Sequence, residues 1–236
     1  MKKIKRKKIL MKNIFTKKNC LENKAWLNNN YICGIDEVGR GCLFGPLVVS
    51  AVVLPLNTNQ TFLHDSKVMI RKDREKAYDW IKQNCFFTKI FVDVYTIEKI
   101  NIYNATRFAM KKAFIQLLEI VPFEIEKIKY LITDAVKINL CKNFRHKNLE
   151  IFNPTKAESK SCSVAAASIF AKVTRDRFIE KISKDFPNFN LFKHKGYGTK
   201  IHTSAIKEFG LSIMHRKSFV SNSIKKSDIH GQQTIC

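Results

Sequence analysis

The sequence has few acidic residues and no long apolar segment. Only 20 Asp and Glu stand against 43 Lys and Arg among its 236 residues, so the formal net charge is +23. A chain this basic attracts polyanions, of which nucleic acid is the commonest. The longest apolar run, residues 47–54, is far shorter than the roughly 20 residues that a membrane-spanning helix needs. The sequence therefore predicts a soluble protein with a nucleic-acid partner and no membrane partner.

The usual signatures of a disulfide framework and of a zinc site are also missing. The seven cysteines are an odd number, and none forms a C-x-x-C pair. This pattern is typical of reduced thiols in a cytosolic protein. No apolar segment with a cleavage site follows the basic amino terminus, so a secretory signal is not expected. We expect a cytoplasmic protein that is a monomer.

Charge divides the chain into three parts. Residues 1–28 are predicted to be a solvated, disordered basic arm, with ten Lys or Arg and one acid in the first 24 residues. Residues 29–219 are predicted to form the folded domain, and residues 220–236 a polar tail. A basic arm can strengthen duplex binding through counterion release, which is one hypothesis for its role.

Strand and helix patterns are intermixed along the folded part. Strands are predicted at 31–37, 47–54, 86–94, 128–134 and 149–152, and helices at 72–84, 105–120, 162–186 and 200–209. The second of these helices carries an apolar stripe made of Phe108, Ala109, Ala113, Leu117 and Ile120. An early hairpin precedes the first helix. The order predicts an α/β fold with a mixed sheet flanked by helices.

Carboxylates follow two of the predicted strands. Asp36 and Glu37 close the first strand, just before the glycine-rich turn of residues 39–41, and Asp134 closes the fourth. Ligand sites of α/β sheets gather at strand ends, and Mg²⁺ or Mn²⁺ prefers carboxylate oxygens. Two such ions can assist phosphodiester cleavage. An acid at a strand end is more often a turn residue or a helix cap, so spacing alone is a weak signal for a metal site.

A series of motifs resolves that choice. The series runs G-I-D-E-V-G-R-G at 34–41 with G-P at 45–46, D-S-K at 65–67, N-I…A-T…A-M within 101–110, T-D at 133–134, S-V-A-A-A-S-I followed by A-K-V-T-R-D within 163–176, and H-K-G-Y-G-T at 194–199. In this order and at these spacings, the motifs resemble those of the ribonuclease HII (type 2 ribonuclease H) family. The resemblance covers residues 31 to about 219.

The resemblance implies a fold and an activity. The fold would be a ribonuclease H-like mixed β-sheet flanked by helices, with a C-terminal helical extension, and residues 29–219 would be the catalytic domain. The enzyme would hydrolyse the RNA strand of RNA–DNA hybrids, using two Mn²⁺ or Mg²⁺ ions and leaving 3′-hydroxyl and 5′-phosphate ends. It would also incise 5′ to ribonucleotides embedded in duplex DNA, as in ribonucleotide excision repair.

The resemblance also assigns the catalytic acids. Asp36, Glu37 and Asp134 would ligate the metal ions, and Glu158 would complete the catalytic set. The family has Asp at that fourth position, so Glu158 reaches about one methylene farther, and a misplacement of roughly 1 Å can cost about 10²-fold in rate. The departure bears on rate and metal preference more than on reaction class. Ala135 replaces a usual Gly, which is expected to be tolerated if its φ is negative.

Substrate contacts follow from the same motifs. The backbone of Gly39, Arg40 and Gly41 would approach a ribose and bind its 2′-hydroxyl, the group that distinguishes RNA from DNA. Tyr197 would stack on the sugar or base beside the cut. The candidate phosphate contacts are Arg40, Lys67, Lys160 and Lys172. Taken singly, these residue types are also common as turn residues, packing residues and surface cations.

Two alternatives stay open. The first is a hybrid-binding protein whose metal site has decayed, which Glu158 alone motivates. The second is a ribonuclease HIII-like enzyme, which would need Glu in place of Asp134. Outside the site, Asp176 is interpreted as a structural acid that bonds Arg175 or Arg177. The histidines show no metal-like pairing, and His194 and His215 are predicted to be structural.

Overall fold

The computed structural model of this protein describes residues 18–59, 61–140, 146 and 148–221. Residues 1–17 of the predicted basic arm and residues 222–236 of the predicted tail lie outside this range. The described chain belongs to two compact units. The first comprises Met1–Glu37, Val49–Ile90 and Arg107–Val173, and the second Val38–Val48, Phe91–Thr106 and Thr174–Cys236. No helix in the described part is long and apolar enough to cross a membrane.

A five-stranded mixed sheet lies at the centre of the first unit, in the order β3-β2-β1-β4-β5. Its strands are β1 (Tyr31–Val38), β2 (Leu47–Val53), β3 (Phe86–Val92), β4 (Ile128–Thr133) and β5 (Glu150–Phe152). Strand β4 runs parallel to both β1 and β5, and Ile35 of β1 is opposite Thr133 of β4. This register brings the next residues of the two strands, Asp36 and Asp134, to the same edge of the sheet. The predicted mixed α/β sheet is confirmed.

The helices are α1 (Cys20–Trp26), α2 (Arg71–Asn84), α3 (Val94–Ile100), α4 (Ile102–Ile120), α5 (Cys162–Ile182), α6 (Leu191–His194) and α7 (Lys200–Phe209). Strand β3 ends at Val92, two residues before its predicted end. It ends there because the side chain of Asp93 accepts a hydrogen bond from the Thr96 amide and caps α3. Helix α7 ends at Phe209, as predicted, and the φ of +76° at Gly210 suits glycine.

The apolar stripe predicted for α4 is only partly correct. The buried residues of this part of the helix are Ala109, Met110, Ala113, Phe114 and Leu117. Phe108 and Ile120 were predicted to share that face, but they are 52% and 50% exposed. The prediction is wrong at both positions: Phe108 lies about 170° around the helix from the centre of the buried face, and Ile120 is the last residue of the helix.

Helix α1 differs from the solvated arm that the charge pattern predicts. Leu21 and Ala25 lie four residues apart, so they share one face of the helix and pack against Ile32 and Phe152 in a buried cluster. Trp26 is buried in a second cluster of the same unit. The lysines that dominate the local composition occupy other positions than the apolar residues of this face. Residues 20–26 are therefore part of the folded protein.

Helix α5 packs very closely on the sheet. A Cβ atom added to Gly34 of β1 would lie 2.2 Å from the carbonyl carbon of Ser163, at the start of α5. The three alanines of residues 165–167 are fully buried, as predicted, and the Ser50 hydroxyl donates to the Ala167 carbonyl at 2.8 Å. Small side chains thus allow the helix to touch the strand that carries Asp36.

The second unit has its own apolar core. Its buried residues are Leu43, Phe44, Ile179, Phe189, Leu191, Ala205, Ile206 and Val220. They come from the turn after β1, from the second half of α5, from the 3-10 turn Pro187–Phe189, from α6 and α7, and from the segment that follows α7.

Candidate metal centre and nucleic-acid contacts

Asp36 is a buried acid with like charges around it. Only 6% of its surface is exposed. Burial raises the pKa of its carboxyl well above the usual value, and the neighbouring charges of Glu37 and Asp134 raise it further. Hydrogen bonds from the Ser168 side chain and the Glu37 backbone lower that pKa in part. Three of the predicted acids are therefore close enough to influence one another.

The fourth predicted acid is tied to this group through the backbone. The Oδ1 atom of Asp134 accepts a hydrogen bond from the Ala157 amide at 3.0 Å. Ala157 begins the 3-10 turn Ala157–Ser159, which carries Glu158. Glu158 is 5% exposed. Although 24 residues separate them in the sequence, Asp134 and Glu158 belong to one carboxylate cluster.

Lys67 supplies a positive charge to the cluster. Its Nζ lies 3.6 Å from Oε1 of Glu158. Partial burial lowers the pKa of the Lys67 ammonium, but the surrounding acids outweigh that effect and raise it overall. Those acids, in order of decreasing effect, are Glu158, Asp36, Asp65 and Asp134. A residue predicted to contact phosphate therefore lies among the predicted metal ligands.

The fit to a metal ion can be judged from the donor atoms. Within the described ranges, no group of three His, Cys, Asp or Glu side chains is arranged as a metal site. However, Oε2 of Glu158 is buried and accepts no hydrogen bond from the described residues. An acceptor buried in this way is costly unless a donor or a cation reaches it. The oxygen donors suit a hard divalent cation.

Two serines that were not assigned a role support the cluster. Their hydroxyl oxygens, in Ser66 and Ser168, lie 2.8 Å apart, and both serines are buried. Ser168 also bonds the Asp36 carboxyl. The adjacent loop is held by the Lys67 amide, which donates to Oδ1 of Asp65 at 2.9 Å. Ser66 belongs to the D-S-K motif and Ser168 to the S-V-A-A-A-S-I motif, but the motifs alone do not show that the two hydroxyls are in contact.

Ala135 does not meet the condition under which it was expected to be tolerated. Its φ is +51°, in the left-handed region, instead of negative. Its amide donates to the Pro154 carbonyl at 3.1 Å, which holds the backbone in this conformation. A side chain other than glycine costs about 1 kcal/mol or more there. The residue after Asp134 is therefore strained.

An open cleft of about 840 Å³ adjoins the cluster in the first unit. Asp65 and Glu158 contribute its acidic side, and Phe62, Met69 and Trp80 are among its apolar lining residues. The cleft leaves a path from solvent to Glu158.

In the second unit, the glycine-rich turn has two different glycines. Gly39 has a φ of +97°, and a Cβ atom there would lie 2.3 Å from Nε of Arg175. Gly41 is exposed, and a Cβ atom there would meet no other atom within 4 Å. Gly39 thus serves the packing of the turn, while Gly41 leaves its outer backbone open. Arg40, between them, is exposed.

Arg216 holds this turn from inside. Its side chain is fully buried and donates to the carbonyls of Gly39 at 2.7 Å and Arg40 at 3.0 Å. Two further bonds, at 3.0 and 2.8 Å, go to the Gly45 carbonyl. Burial lowers the pKa of Arg216 to about 10, so the guanidinium stays charged at neutral pH. Sequence analysis assigned no role to this residue.

Arg175, also fully buried, links the region of the turn to Tyr197. It donates to the carbonyls of Pro46, Phe44 and Lys195 at 3.0, 2.9 and 2.8 Å. These three bonds reach backbone oxygens, and the expected bond of Asp176 to Arg175 or Arg177 stays a prediction. The guanidinium carbon lies 5.9 Å from the centre of the Tyr197 ring. Arg175 thus connects the segment after the glycine-rich turn, at Phe44 and Pro46, to Lys195, which lies two residues before Tyr197.

Tyr197 lies beside the glycine-rich turn. Its backbone pairs with Cys42 in an antiparallel bridge. The side chain is 39% exposed, and burial of the remainder raises the pKa of its hydroxyl to about 12. The structure therefore places Tyr197 and the Gly39–Gly41 backbone in one unit, with part of the ring accessible.

Three buried histidines support the Tyr197 turn, and their hydrogen bonds fix their tautomers. Nδ1 of His202 lies 3.0 Å from the Tyr197 carbonyl, so it must carry the proton. Nε2 of His202 is then the acceptor for Nε2 of His215 at 3.1 Å. Nδ1 of His215 in turn accepts from the Ser212 amide at 3.0 Å. His194 bonds the Phe189 carbonyl, so all three have a structural role.

The contacts of Lys160 and Lys172, the remaining lysines predicted to bind phosphate, do not point to a ligand. The ammonium of Lys160 donates to the Thr155 carbonyl at 2.9 Å, within its own loop. Lys172 is half-buried on α5. Neither position assigns a ligand by itself.

Comparisons with known proteins identify the family of this chain. The family model described as Ribonuclease HII matches residues 33–222. Ribonuclease HII of Caldanaerobacter subterraneus subsp. tengcongensis is 43% identical over 198 residues, which are 83% of this chain and 76% of the relative. Ribonuclease HII of Caldicellulosiruptor saccharolyticus is 43% identical over 205 residues, which are 86% of this chain and 94% of the relative.

Solved structures agree with the fold. The ribonuclease H2 of Pyrococcus horikoshii OT3 superposes with a TM-score of 0.64 at 22% identity, over 83% of this chain and 98% of that one. A structure of the PCNA:RNase HII complex from Archaeoglobus fulgidus gives a TM-score of 0.63 at 24% identity, over 79% and 94%. A ribonuclease H-like mixed sheet with a helical C-terminal region is thus confirmed. The chain belongs to the ribonuclease HII family, whose members are metal-dependent endoribonucleases that cleave the RNA of RNA–DNA hybrids.

Proposed function

We propose that this protein cleaves the RNA strand of RNA–DNA hybrids and also incises 5′ to ribonucleotides embedded in duplex DNA, leaving 3′-hydroxyl and 5′-phosphate ends. One observation carries the proposal: the β1–β4 register brings Asp36 and Asp134 to one edge of the sheet, and the hydrogen bond from the Ala157 amide to Asp134 joins the turn of Glu158 to them. Acids gathered in this way in a chain of net charge +23 favour a cation site that faces phosphate.

We propose Asp36, Glu37, Asp134 and Glu158 as the residues that hold two Mn²⁺ or Mg²⁺ ions. Such ions, when bound, supply an activated water and stabilise the charge of the leaving oxygen. The buried Oε2 of Glu158 supports this assignment, because it has no hydrogen-bond donor within the described residues. A structural neighbour, Bst-RNase HIII, was solved in complex with Mn²⁺, which supports Mn²⁺ as a candidate.

The residues around the acids would then orient the carboxylates and bind the substrate phosphate. The Ser168 hydroxyl orients the Asp36 carboxyl, and the Ala157 amide orients Asp134. Lys67 carries its ammonium on a long, largely exposed side chain, so it can also reach a substrate phosphate.

We propose that Gly39, Arg40 and Gly41 bind the ribose 2′-hydroxyl through the backbone, and that Tyr197 stacks on the neighbouring nucleotide. The open space around Gly41 and the partly exposed Tyr197 ring support these roles. We also propose residues 29–219 as the catalytic domain. Lys160 and Lys172 remain proposed phosphate contacts, of lower weight than Lys67.

A cleavage assay on two substrates tests the proposal. The purified protein is incubated with an RNA–DNA hybrid, and separately with a DNA duplex that contains one ribonucleotide, with Mn²⁺, Mg²⁺ or EDTA. We expect cut products only with the divalent ions, and extension of the upstream product by a DNA polymerase to demonstrate a 3′-hydroxyl. Asp36→Asn should abolish cleavage while leaving hybrid binding intact. Asp185→Asn, which changes an exposed acid of the second unit, is the matched control.

Two outcomes would contradict the proposal. Full activity of Asp36→Asn would remove this acid from the metal site. Hybrid binding without cleavage by either the native protein or Glu158→Asp would favour a binding protein whose metal site has decayed.

A further inference from the structure

The N-terminus of α5 is capped by residues that lie about 140 positions earlier in the chain. Oδ1 of Asn19 accepts the Cys162 amide at 2.7 Å, and Oε1 of Glu22 accepts the Ser163 amide at 3.3 Å. The Ser161 hydroxyl oxygen accepts the third amide, that of Val164, at 3.3 Å. The first amides of a helix have no partner within the helix, and here each has a side-chain acceptor. Two of the three acceptors come from α1 or the residue before it.

Glu22 is unusual among the acids of the first unit because it is fully buried. The Ser161 hydroxyl donates to its Oε1, while its Oε2 is buried without a hydrogen-bond donor among the described residues. Burial raises the pKa of Glu22, against the lowering effect of the bonds from Ser161 and Ser163. Burial favours the neutral acid and the hydrogen bonds favour the carboxylate, and in either form Oε1 serves as a hydrogen-bond acceptor.

These contacts continue directly into the segment that carries Glu158. The Asn19 amide donates to the Lys160 carbonyl at 2.8 Å. The Ser161 amide donates to the Ala157 carbonyl at 2.9 Å, which closes the turn around Glu158. On the other side of that turn, Asp134 accepts the Ala157 amide. The backbone on both sides of Glu158 is therefore fixed by hydrogen bonds, from Asp134 before it and from α1 after it.

We infer that Asn19 and Glu22 are positioning residues that hold Glu158 in its catalytic place. The inference rests on the proposed function. Its physical basis is that a shift of roughly 1 Å in a catalytic group can cost about 10²-fold in rate. Glu158 has little room for such a shift, because it is the acid whose longer side chain already departs from the family's Asp. Hydrogen bonds that anchor the backbone next to Glu158 limit the displacement of its carboxylate.

The experiment compares substitutions that break the anchor with one that only weakens the same helix. Glu22→Ala and Asn19→Ala remove the acceptors, and Glu22→Gln keeps a neutral side chain with an acceptor oxygen. Leu21→Ala removes a buried apolar side chain of α1 that takes no part in the hydrogen bonds, so it controls for lost stability. Each is made in the native chain and again in a Glu158→Ala background. The measurements are kcat and KM on the hybrid with Mn²⁺, at a temperature where thermal unfolding shows the variant to be folded.

We expect Glu22→Ala to lower kcat by about 10- to 100-fold with KM little changed, and Glu22→Gln to restore most of that loss. Leu21→Ala should lower the melting temperature without the loss in kcat. In the Glu158→Ala background, Glu22→Ala should have almost no further effect, because its target is already gone. If Glu22→Ala does not fold, the same comparison is made with Asn19→Ala.

Several results would overturn the inference. Unchanged kcat in both anchor variants would do so, as would an equal loss in Leu21→Ala or an undiminished effect in the Glu158→Ala background. A native protein without divalent-dependent cleavage would instead contradict the proposed function, so the two failures are distinguishable.

Discussion

The carboxylate cluster of the first unit and the Gly39–Gly41 turn of the second are stabilised in opposite ways. In the cluster, like charges lie close together, and their repulsion is offset by one exposed lysine and a few hydroxyls. In the turn, the buried guanidinium of Arg216 donates to the backbone carbonyls of Gly39, Arg40 and Gly45. The cluster is therefore under electrostatic strain that a cation would relieve, whereas the turn is already satisfied.

The difference indicates how each region contributes. A group under strain gains stability when its ligand arrives, so the cluster should respond to ions and to loss of charge. A turn with satisfied hydrogen bonds has a fixed shape before substrate arrives, which reduces the cost of binding. Four predictions test this comparison, from the largest expected effect to the smallest.

The largest effect is expected at Arg216. Arg216→Met keeps much of the side-chain volume but leaves the carbonyls of Gly39, Arg40 and Gly45 without their donor. We expect the free energy of unfolding to fall by about 3–5 kcal/mol, as when one partner of a buried charged network is removed. Urea denaturation measures it. Lys217→Met changes the exposed neighbour and should have almost no effect. A small loss at Arg216 would mean that the turn is not held from inside.

The histidines make the second unit sensitive to acid. Burial lowers the pKa of both His202 and His215 to about 4, below the usual value of 6.5. Between these values the unfolded chain binds more protons than the folded one. Stability is therefore complete above about pH 6.5 and is lost as pH falls towards 4, by roughly 3 kcal/mol for one imidazole.

Denaturation at a series of pH values checks this prediction. His202→Gln should flatten the dependence between pH 6.5 and 4, and His64→Gln, at an exposed histidine, should not. A profile that is the same in both variants would show that the acid sensitivity arises elsewhere.

The carboxylate cluster should behave in the opposite sense when charge is removed. Since burial and neighbouring charges raise the pKa of Asp36, its ionised form destabilises the fold at neutral pH. Asp36→Asn should therefore raise the free energy of unfolding in EDTA, while abolishing cleavage. Thermal unfolding with and without Mn²⁺ measures the change. Equal destabilisation by Asp36→Asn and the Asp185→Asn control would contradict strain in the cluster.

The smallest effect is expected next to Asp134. Because Ala135 has a φ of +51°, Ala135→Gly should relieve backbone strain. We expect a gain of about 0.5–1 kcal/mol, since part of the relief is lost to the greater freedom of glycine in the unfolded chain. Urea denaturation is sufficient to detect it. A loss of stability would mean that the Pro154 contact, rather than the alanine side chain, sets the local energy.

Much of the sheet and the acid positions could be predicted from the sequence, because strands have a short-range pattern and the acids fall at their ends. The prediction failed where the decisive contact is distant. The lysines around α1 made this segment look like a solvated arm. The hydrogen-bond partners of Glu22, at Ser161 and Ser163, lie about 140 residues away in the sequence. The φ of Ala135 depends on a bond to Pro154, which no local pattern shows. The same holds for the bonds of Arg216, whose acceptors precede it by more than 170 positions.

The long-range cap on α5 also has a consequence for synthesis. Asn19 and Glu22 leave the ribosome long before Cys162 and Ser163, and at about 5–20 residues per second the delay is roughly 7–30 s. Throughout that interval, the polar side chains that later cap α5 have only water as a partner. A nascent or truncated chain that ends before residue 161 therefore cannot form the hydrogen bonds that attach α1 to the N-terminus of α5. Such fragments should be open to proteolysis at residues 19–26, whereas the finished chain should resist it.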